Sequence, residues 1–385
     1  MNFLSEKMSK YRYYVLLICC FFASFLNIFP QWKSFFKFPN QFLLLVLICV
    51  VLASYAVVFY KNIRISDREI IFLIFAFGFV FRLVYGIATD YYVRQHDLDV
   101  GYATGHWGYI RRLYFGEGLP NENILHSWQF YQPPLWHSLC AFFLKIQTFF
   151  KIPIENAFEN LQMISLFCSS SVMLLSHKLF KMFGLKKIPL YIACGIVAFH
   201  PTLIILSASI NNDIISIALS LLSVIIALKW YRNPDFKTII MLALSIGLSM
   251  AAKLSGGLVS LAIAMLFIIR LFGKKYKNKL NLIGQFSVFG IICVPLALWW
   301  QIRNLIFFKV PITYVPKLSE TSNQYIGFRS IFERFFDFSS LSESIYPLRV
   351  VSYQNFEYFE YNIPLTALKT SVFGEYYIGQ NSTFT

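Results

Sequence analysis

Residues Gln95 to His137 read QHDLDVGYATGHWGYIRRLYFGEGLPNENILHSWQFYQPPLWH, and the segments on either side are almost entirely apolar. Carboxylates, histidines, Tyr and Trp rings and the pair Pro133-Pro134 are gathered in this one stretch. A polar island between oily segments is a loop at a membrane surface, and binding and catalytic residues concentrate in loops held by a rigid frame. The fold therefore turns on how many apolar runs precede and follow it.

Hydrophobic residues fill 57% of the 385 positions and charged residues 14%, with a mean hydropathy of +0.58. A soluble domain carries about a quarter charged residues, so the chain reads as an all-α polytopic membrane protein. A span needs about 20 mostly apolar residues to cross roughly 30 Å of hydrocarbon. Three such runs precede the island: Tyr13 to Phe29, Gln41 to Tyr60 and Ile70 to Ala88. Six follow: Phe158 to Ser176, Ile188 to Ser207, Ile214 to Trp230, Thr238 to Ala252, Leu254 to Phe272 and Leu282 to Phe308. About nine transmembrane helices are expected. Lys7, Lys10 and Arg12 precede the first run, and no small-residue cleavage site follows it, so it reads as a retained span.

Orientation follows from the basic clusters, which stay cytoplasmic: Lys7/Lys10/Arg12, Lys61/Arg64/Arg68, His177/Lys178/Lys181/Lys186/Lys187, Lys229/Arg232/Lys237 and Arg270/Lys274/Lys275/Lys277/Lys279. Three spans from a cytoplasmic N-terminus put the island outside, and only one crossing then separates it from the basic turn at Lys178 to Lys187. The apolar run Leu135 to Phe150, which starts after Pro133-Pro134 and contains Lys145, is therefore predicted to lie along the outer surface as an interfacial helix. Trp136, Phe142, Phe143, Phe149 and Phe150 are expected at headgroup level. The chain divides into N-terminal membrane helices (1–88), an outer catalytic loop with interfacial helices (89–157), further membrane helices (158–308) and an outer, Tyr-rich C-terminal segment (309–385).

The net charge of +15 invites a nucleic-acid reading, but the cations sit in short clusters between apolar runs, which is a topology signal. No nucleic acid is expected as a partner. The cysteines lie in or beside apolar segments without metal-ligand spacing, so neither a disulfide framework nor a zinc site is implied.

Asp97 and Asp99 stand two apart, a spacing that turns both carboxylates to one side of an extended or turning loop. Such a pair acts as a general base on an alcohol or binds a divalent cation through oxygen; no other cofactor is suggested. His106 follows, suited to hold a substrate oxygen or shuttle a proton, or to serve structurally at a loop-to-helix junction. Tyr109 stands three positions on, and Tyr131, Gln132 and His137 belong to an aromatic and amide-bearing segment of the kind that recognises sugars, or that anchors at an interface. Arg82, Lys253 and Arg303 fall near the outer ends of their spans, where a cation suits a phosphate arriving from the outer leaflet or snorkels to the headgroups. Asn211-Asn212-Asp213 adds a carboxylate at the same face and has the composition of a helix cap.

In this order, these residues resemble the membrane-embedded glycosyltransferases of the GT-C class, in the family 39-like bacterial branch that includes protein O-mannosyltransferases and aminoarabinose transferases. The resemblance rests on Asp97/Asp99, Gly105-His106-Trp107-Gly108-Tyr109-Ile110, Leu119-Pro120, Phe130-Tyr131-Gln132-Pro133-Pro134-Leu135, Asn212-Asp213, Lys253 within Ala-Ala-Lys-Leu-Ser-Gly, and Arg303-Asn304. It implies a polyprenyl-phosphate-linked sugar donor, an acceptor hydroxyl on a glycan, lipid or protein, deprotonation by a loop Asp, and inverting transfer. It further implies a multi-pass protein of the cytoplasmic membrane with its site on the outer face. The Asp-Leu-Asp pattern and the gap after it leave Asp99 as first choice of base and Asp97 as second. Relatives continue with further spans beyond the segment resembling Thr370 to Glu375, so 309–385 reads as the end of a truncated form. A transporter or flippase of lipid-linked glycans and a non-catalytic scaffold of an envelope assembly are the rival readings. The first calls for polar groups at the bilayer midplane, and the second survives loss of both aspartates.

Overall fold

The computed structural model describes residues 66–92, 98–127, 129–273, 278–317, 329–339, 341 and 361–373. The runs Tyr13 to Phe29 and Gln41 to Tyr60 lie outside the described residues, as do Asp97 and Trp128. Among those described there are helices and no strand.

The helices are α1 (Asp67–Ala88), α2 (Gly105–Phe115), α3 (Leu135–Phe149), α4 (Ile154–Glu159), α5 (Gln162–Met182), α6 (Lys187–Ala198), α7 (Pro201–Leu206), α8 (Asp213–Arg232) and α9 (Phe236–Ala252). A 3-10 turn (Leu254–Leu258) then leads into α10 (Val259–Phe272), followed by α11 (Lys279–Phe308), α12 (Ile331–Phe336) and α13 (Ile363–Phe373). They fall into two units. The larger takes in residues 66–198 and 206–314, and the smaller takes in 199–205 with the described parts of 315–373.

Five helical stretches among the described residues are long and apolar enough to cross a membrane: Asp67–Ile87, Ile154–Met182, Asp213–Arg232, Leu254–Phe272 and Lys279–Phe308. The run expected as one span over Ile188 to Ser207 is instead two helices, α6 and α7. Pro201 is the cause: a proline disfavours helical geometry at the residue before it, here His200, but fits the first position of a new helix. At 17 residues, α9 is shorter than the five.

Helix starts are written in the sequence. Ser66 and Glu69 form a capping box on α1, with Ser66 N donating to Glu69 Oε2 at 2.8 Å. Asp235 accepts from Thr238 N at the start of α9 (2.8 Å), and Asn278 accepts from Asn281 N at the start of α11 (3.1 Å). Each of these side chains satisfies an amide that the helix itself leaves unpaired.

Packing within the larger unit uses the devices of membrane helices, small residues and polar links. Trp230, Ile239, Leu242, Ile246, Ile263 and Leu282 form the core shared by α8, α9, α10 and α11. Serines run along the α8–α9 seam: Ser220 Oγ lies 2.9 Å from Ser249 Oγ, and Ser223 Oγ donates to Ser245 Oγ at 2.8 Å. On the other side, Phe75, Phe79, Leu166, Met173, Cys194 and Ala198 join α1, α5 and α6. Gly78 permits the close approach there, since a Cβ at that position would stand 2.8 Å from Ala198 Cβ.

The α3 helix is not among the stretches long and apolar enough to span. Its exposed side carries Leu139, Phe142, Ile146 and Phe149, with Phe150 just beyond, and Phe143 is half-buried. Trp136 was expected on that side but is fully buried, packed in a core with Leu98, Ile110, Cys140, Leu144 and Phe158. The helical period decides this: positions 136, 140, 144 and 147 share one face, away from 142 and 149.

Candidate active site

The larger unit brings the segment after α1 against three helix ends: the start of α8, the end of α9 and the end of α11. Leu98 anchors the approach, its carbonyl accepting from Trp107 N at 2.9 Å, which holds Asp99 beside the first turn of α2. Between them the chain curls tightly, with Asp99 at φ 52°, Gly101 at φ 90° and Gly105 at φ 75°. Asp is among the few non-glycine residues that accept this left-handed geometry. The curl lies flat on α2, because a Cβ on Gly108 would meet the Ala103 carbonyl carbon and oxygen at 2.4 Å each. Asp99 is partly exposed, and loss of water around it raises its carboxyl above the usual value.

Behind Asp99, α2 and α3 face each other through two buried histidines. His106 Nδ1 lies 2.8 Å from His137 Nε2, and the Tyr109 ring stacks on His137 with centroids 3.9 Å apart. Burial drives the His106 pKa down to about 3, with the Lys253 charge adding to the shift and Asp213 opposing it. His137 is lowered too, by burial first and by His106 second. The pair is therefore neutral, one ring donating and the other accepting. Burial pushes the Tyr109 hydroxyl well above its usual range, and the hydroxyl has no hydrogen-bond partner among the described residues.

Lys253 ends α9 in extended conformation, and its ammonium pairs with the carboxylate of Asp213, the first residue of α8. Both side chains remain about a third exposed, at 28% and 33%, so the pair is open to an incoming ligand. Asn212 stands at the cap position of α8 without capping it. Its amide instead donates to Ala252 O (2.8 Å) and Gln132 Oε1 (3.4 Å), and Asn211 Oδ1 accepts from Asp213 N (3.1 Å). Gln132 in turn donates to the Tyr131 hydroxyl at 3.1 Å.

Arg303, near the end of α11, donates to the Pro120 carbonyl and, at 2.9 Å, to Asn304 Oδ1. Its guanidinium lies 4.5 Å from the Trp300 ring centroid and 4.9 Å from that of Phe308. Asn304 Nδ2 reaches the Tyr131 carbonyl at 3.4 Å. Arg112 of α2 pairs with Glu122, so that two arginines strap the 120–122 turn across this end of the unit.

Arg82 is placed differently. It is fully buried, its Nε donating to Ser169 Oγ at 2.8 Å and its Nη atoms to the carbonyls of Gly78 (2.8 Å), Ala198 (2.5 Å) and Val197 (3.1 Å). A cation at the carbonyl end of α6 meets the negative end of that helix dipole. These contacts are those of a brace joining α1, α5 and α6.

Of the residues singled out from sequence, His106, Tyr109, Tyr131, Gln132, His137, Asp213, Lys253 and Arg303 are linked through contacts or short chains of contacts, and Asp99 is held beside the helix that carries His106. Asn212, Asn304, Arg112 and Glu122 complete the framework and were not predicted as site residues. Asn212 and Asn304 belong to the motifs Asn212-Asp213 and Arg303-Asn304 that carry the resemblance, where they were given no site role of their own. Arg112 and Glu122 carry no periodic signal, because their pairing depends on how the turn after α2 folds back. Among the described residues, no three side chains of the His, Cys, Asp and Glu types come together as a metal cage.

A family model described as dolichyl-phosphate-mannose-protein mannosyltransferase matches residues 146–318. The family 39-like resemblance is borne out over those residues, and the match supports a membrane glycosyltransferase of the GT-C type. Lys253, Asp213 and Arg303 fall inside the match, whereas Asp99, His106 and His137 precede it. A comparison with curated proteins found no match.

Proposed function

We propose, starting from the mannosyltransferase-type match over residues 146–318, that the chain transfers a sugar from a polyprenyl-phosphate-linked donor to an acceptor hydroxyl at the outer face of the cytoplasmic membrane. The observation that carries this reading is the partly exposed Lys253–Asp213 ion pair at two helix ends, whose charges are felt at the buried His106 of α2. A cation at the mouth of an apolar helix bundle suits a phosphate whose isoprenoid tail lies in lipid.

In this mechanism the donor phosphate takes Lys253, with Arg303 as second cation. Asp99 accepts the proton of the acceptor hydroxyl, whose oxygen bonds the anomeric carbon as the bond from that carbon to the phosphate oxygen breaks. Polyprenyl phosphate departs with the bonding pair, and the anomeric configuration inverts. The raised pKa of Asp99, which comes from loss of water around it, makes it a better base than a fully solvated carboxylate. His106, His137, Tyr109, Tyr131 and Gln132 form the wall that orients the sugar and acceptor. Arg82 keeps the frame together.

The test is transfer of radiolabelled sugar from polyprenyl-phosphate donors by the full chain in membranes, beside Asp99→Asn and Asp97→Asn forms. Asn accepts the left-handed backbone at position 99, so the substitution removes the base without forcing the loop. Loss of a general base slows the reaction by about 10²- to 10⁴-fold. Full turnover by both variants would remove a loop aspartate from the mechanism.

A further inference from the structure

Two consecutive residues at the start of α8 grip two consecutive residues at the end of α9. Asp213 pairs with the Lys253 ammonium, and Asn212 Nδ2 donates to the Ala252 carbonyl at 2.8 Å. The ion pair is partly exposed, whereas Asn212 is 1% exposed. The same nitrogen donates to Gln132 Oε1 at a longer 3.4 Å, so one buried amide joins both helix ends to the loop before α3. Both partners are carbonyl oxygens that can only accept, which fixes the nitrogen end of the amide toward them.

Asn212 forgoes its local role to make these bonds. It occupies the cap position of α8, where an Asn side chain ordinarily accepts from an amide in the first turn, yet it makes no such bond. The side chain is turned instead toward the residue before Lys253.

Lys253 is a position that needs holding, because a flexible four-carbon stem separates its charge from its backbone. It stands in extended conformation between α9 and the 3-10 turn, with Lys253 N donating to Ser249 O at 3.0 Å and Gly256 N donating to Lys253 O at 2.9 Å. Gly256 lies directly on the α8–α9 serines, since a Cβ there would run into the hydroxyls of Ser216 and Ser249. The turn after Lys253 is thereby fixed, and Asn212 fixes the carbonyl just before it.

We propose that Asn212 is a positioning residue: by clamping the Ala252 carbonyl beside the Asp213–Lys253 pair, it sets the place of the Lys253 ammonium and ties it to the Gln132 loop. Its effect on transfer rests on the donor-phosphate role given to Lys253 above, while the clamp itself does not.

The test uses the full chain with Asn212→Leu, which keeps the shape of the side chain and removes its donor, and with Asn212→Ser, which suits the cap of α8 but is too short to reach Ala252. Gln285→Leu is the control, removing an equally buried amide that accepts from Trp230 Nε1 at 2.6 Å near the other end of α8. Acylation of Lys253 by a water-soluble amine reagent is followed by mass spectrometry, with Asp213→Asn marking the rate of the released side chain. Both Asn212 forms should react several-fold faster than the unsubstituted chain, and Gln285→Leu should not. In sugar transfer at varied donor concentration, both should raise donor KM several-fold and lower kcat less. Acylation of Lys253 at the original rate in the Asn212 forms, or an equal rise in Gln285→Leu, would overturn the positioning role. Faster acylation with no transfer by the unsubstituted chain would support the clamp and remove the glycosyltransferase reading instead.

Discussion

His106 Nδ1 and His137 Nε2 stand 2.8 Å apart inside the protein, at a spacing where at most one hydrogen bond is shared and neither ring gains from a charge. The pair bears on stability and on pH dependence. In the unfolded chain both rings take up protons as the pH falls through about 6.5, whereas His106 stays neutral to about pH 3 in the fold and His137 is shifted the same way. Between those limits the unfolded state binds more protons, so stability falls as pH falls. The free energy of unfolding, read from denaturant titrations, should be level above about pH 6.5 and decline below it, by up to about 1.4 kcal/mol per pH unit for each histidine. His106→Gln should flatten that slope. An equally steep decline in the variant would rule the pair out as its source.

Lys253 is predicted to matter through its charge toward the donor phosphate. Lys253→Met should lower transfer by about 10²-fold, the usual effect of removing one pre-aimed donor, and Lys253→Arg should recover part of it. Asp213→Asn should act mainly on donor KM, since it leaves the ammonium in place but unanchored. Transfer rates at varied donor concentration distinguish these effects, and an undiminished Lys253→Met enzyme would contradict the assignment.

Gly108→Ala is expected to impair activity more than folding. The added methyl would occupy the position of the Ala103 carbonyl, and the curl that carries Asp99 must lift away from α2 to admit it. Transfer should fall while stability drops by no more than about 1–3 kcal/mol, the usual penalty for overpacking. Unchanged turnover would show that the curl needs no contact with α2.

Arg82→Met should do the reverse. It deprives the Gly78, Val197 and Ala198 carbonyls of their cationic partner, at about 1–3 kcal/mol for each group left unsatisfied. The thermal midpoint should drop, while specific activity of the folded fraction is kept. Normal stability with lost transfer would return Arg82 to the donor phosphate.

The membrane class, the positions of most apolar helices from Ile70 to Phe308 and the polar character of the segment between α1 and α4 were legible in the sequence by itself. Hydropathy is a local, additive property, and the length of an apolar run sets what it can cross. Pro201 lies inside the apolar run Ile188 to Ser207, and hydropathy alone does not register the break it makes.

Arg82, Lys253 and Arg303 looked alike as cations near span ends, and only the tertiary structure separated them. One is buried among carbonyls from α1 and α6, one pairs with a carboxylate 40 positions away, and one reaches a carbonyl 183 positions away. Trp136 and Phe142 were likewise indistinguishable as aromatics, until the packing of α3 buried one and exposed the other. The physical reason is common to all of them: a side chain's partners are set by which helix ends converge, and that convergence depends on the packing of the whole bundle.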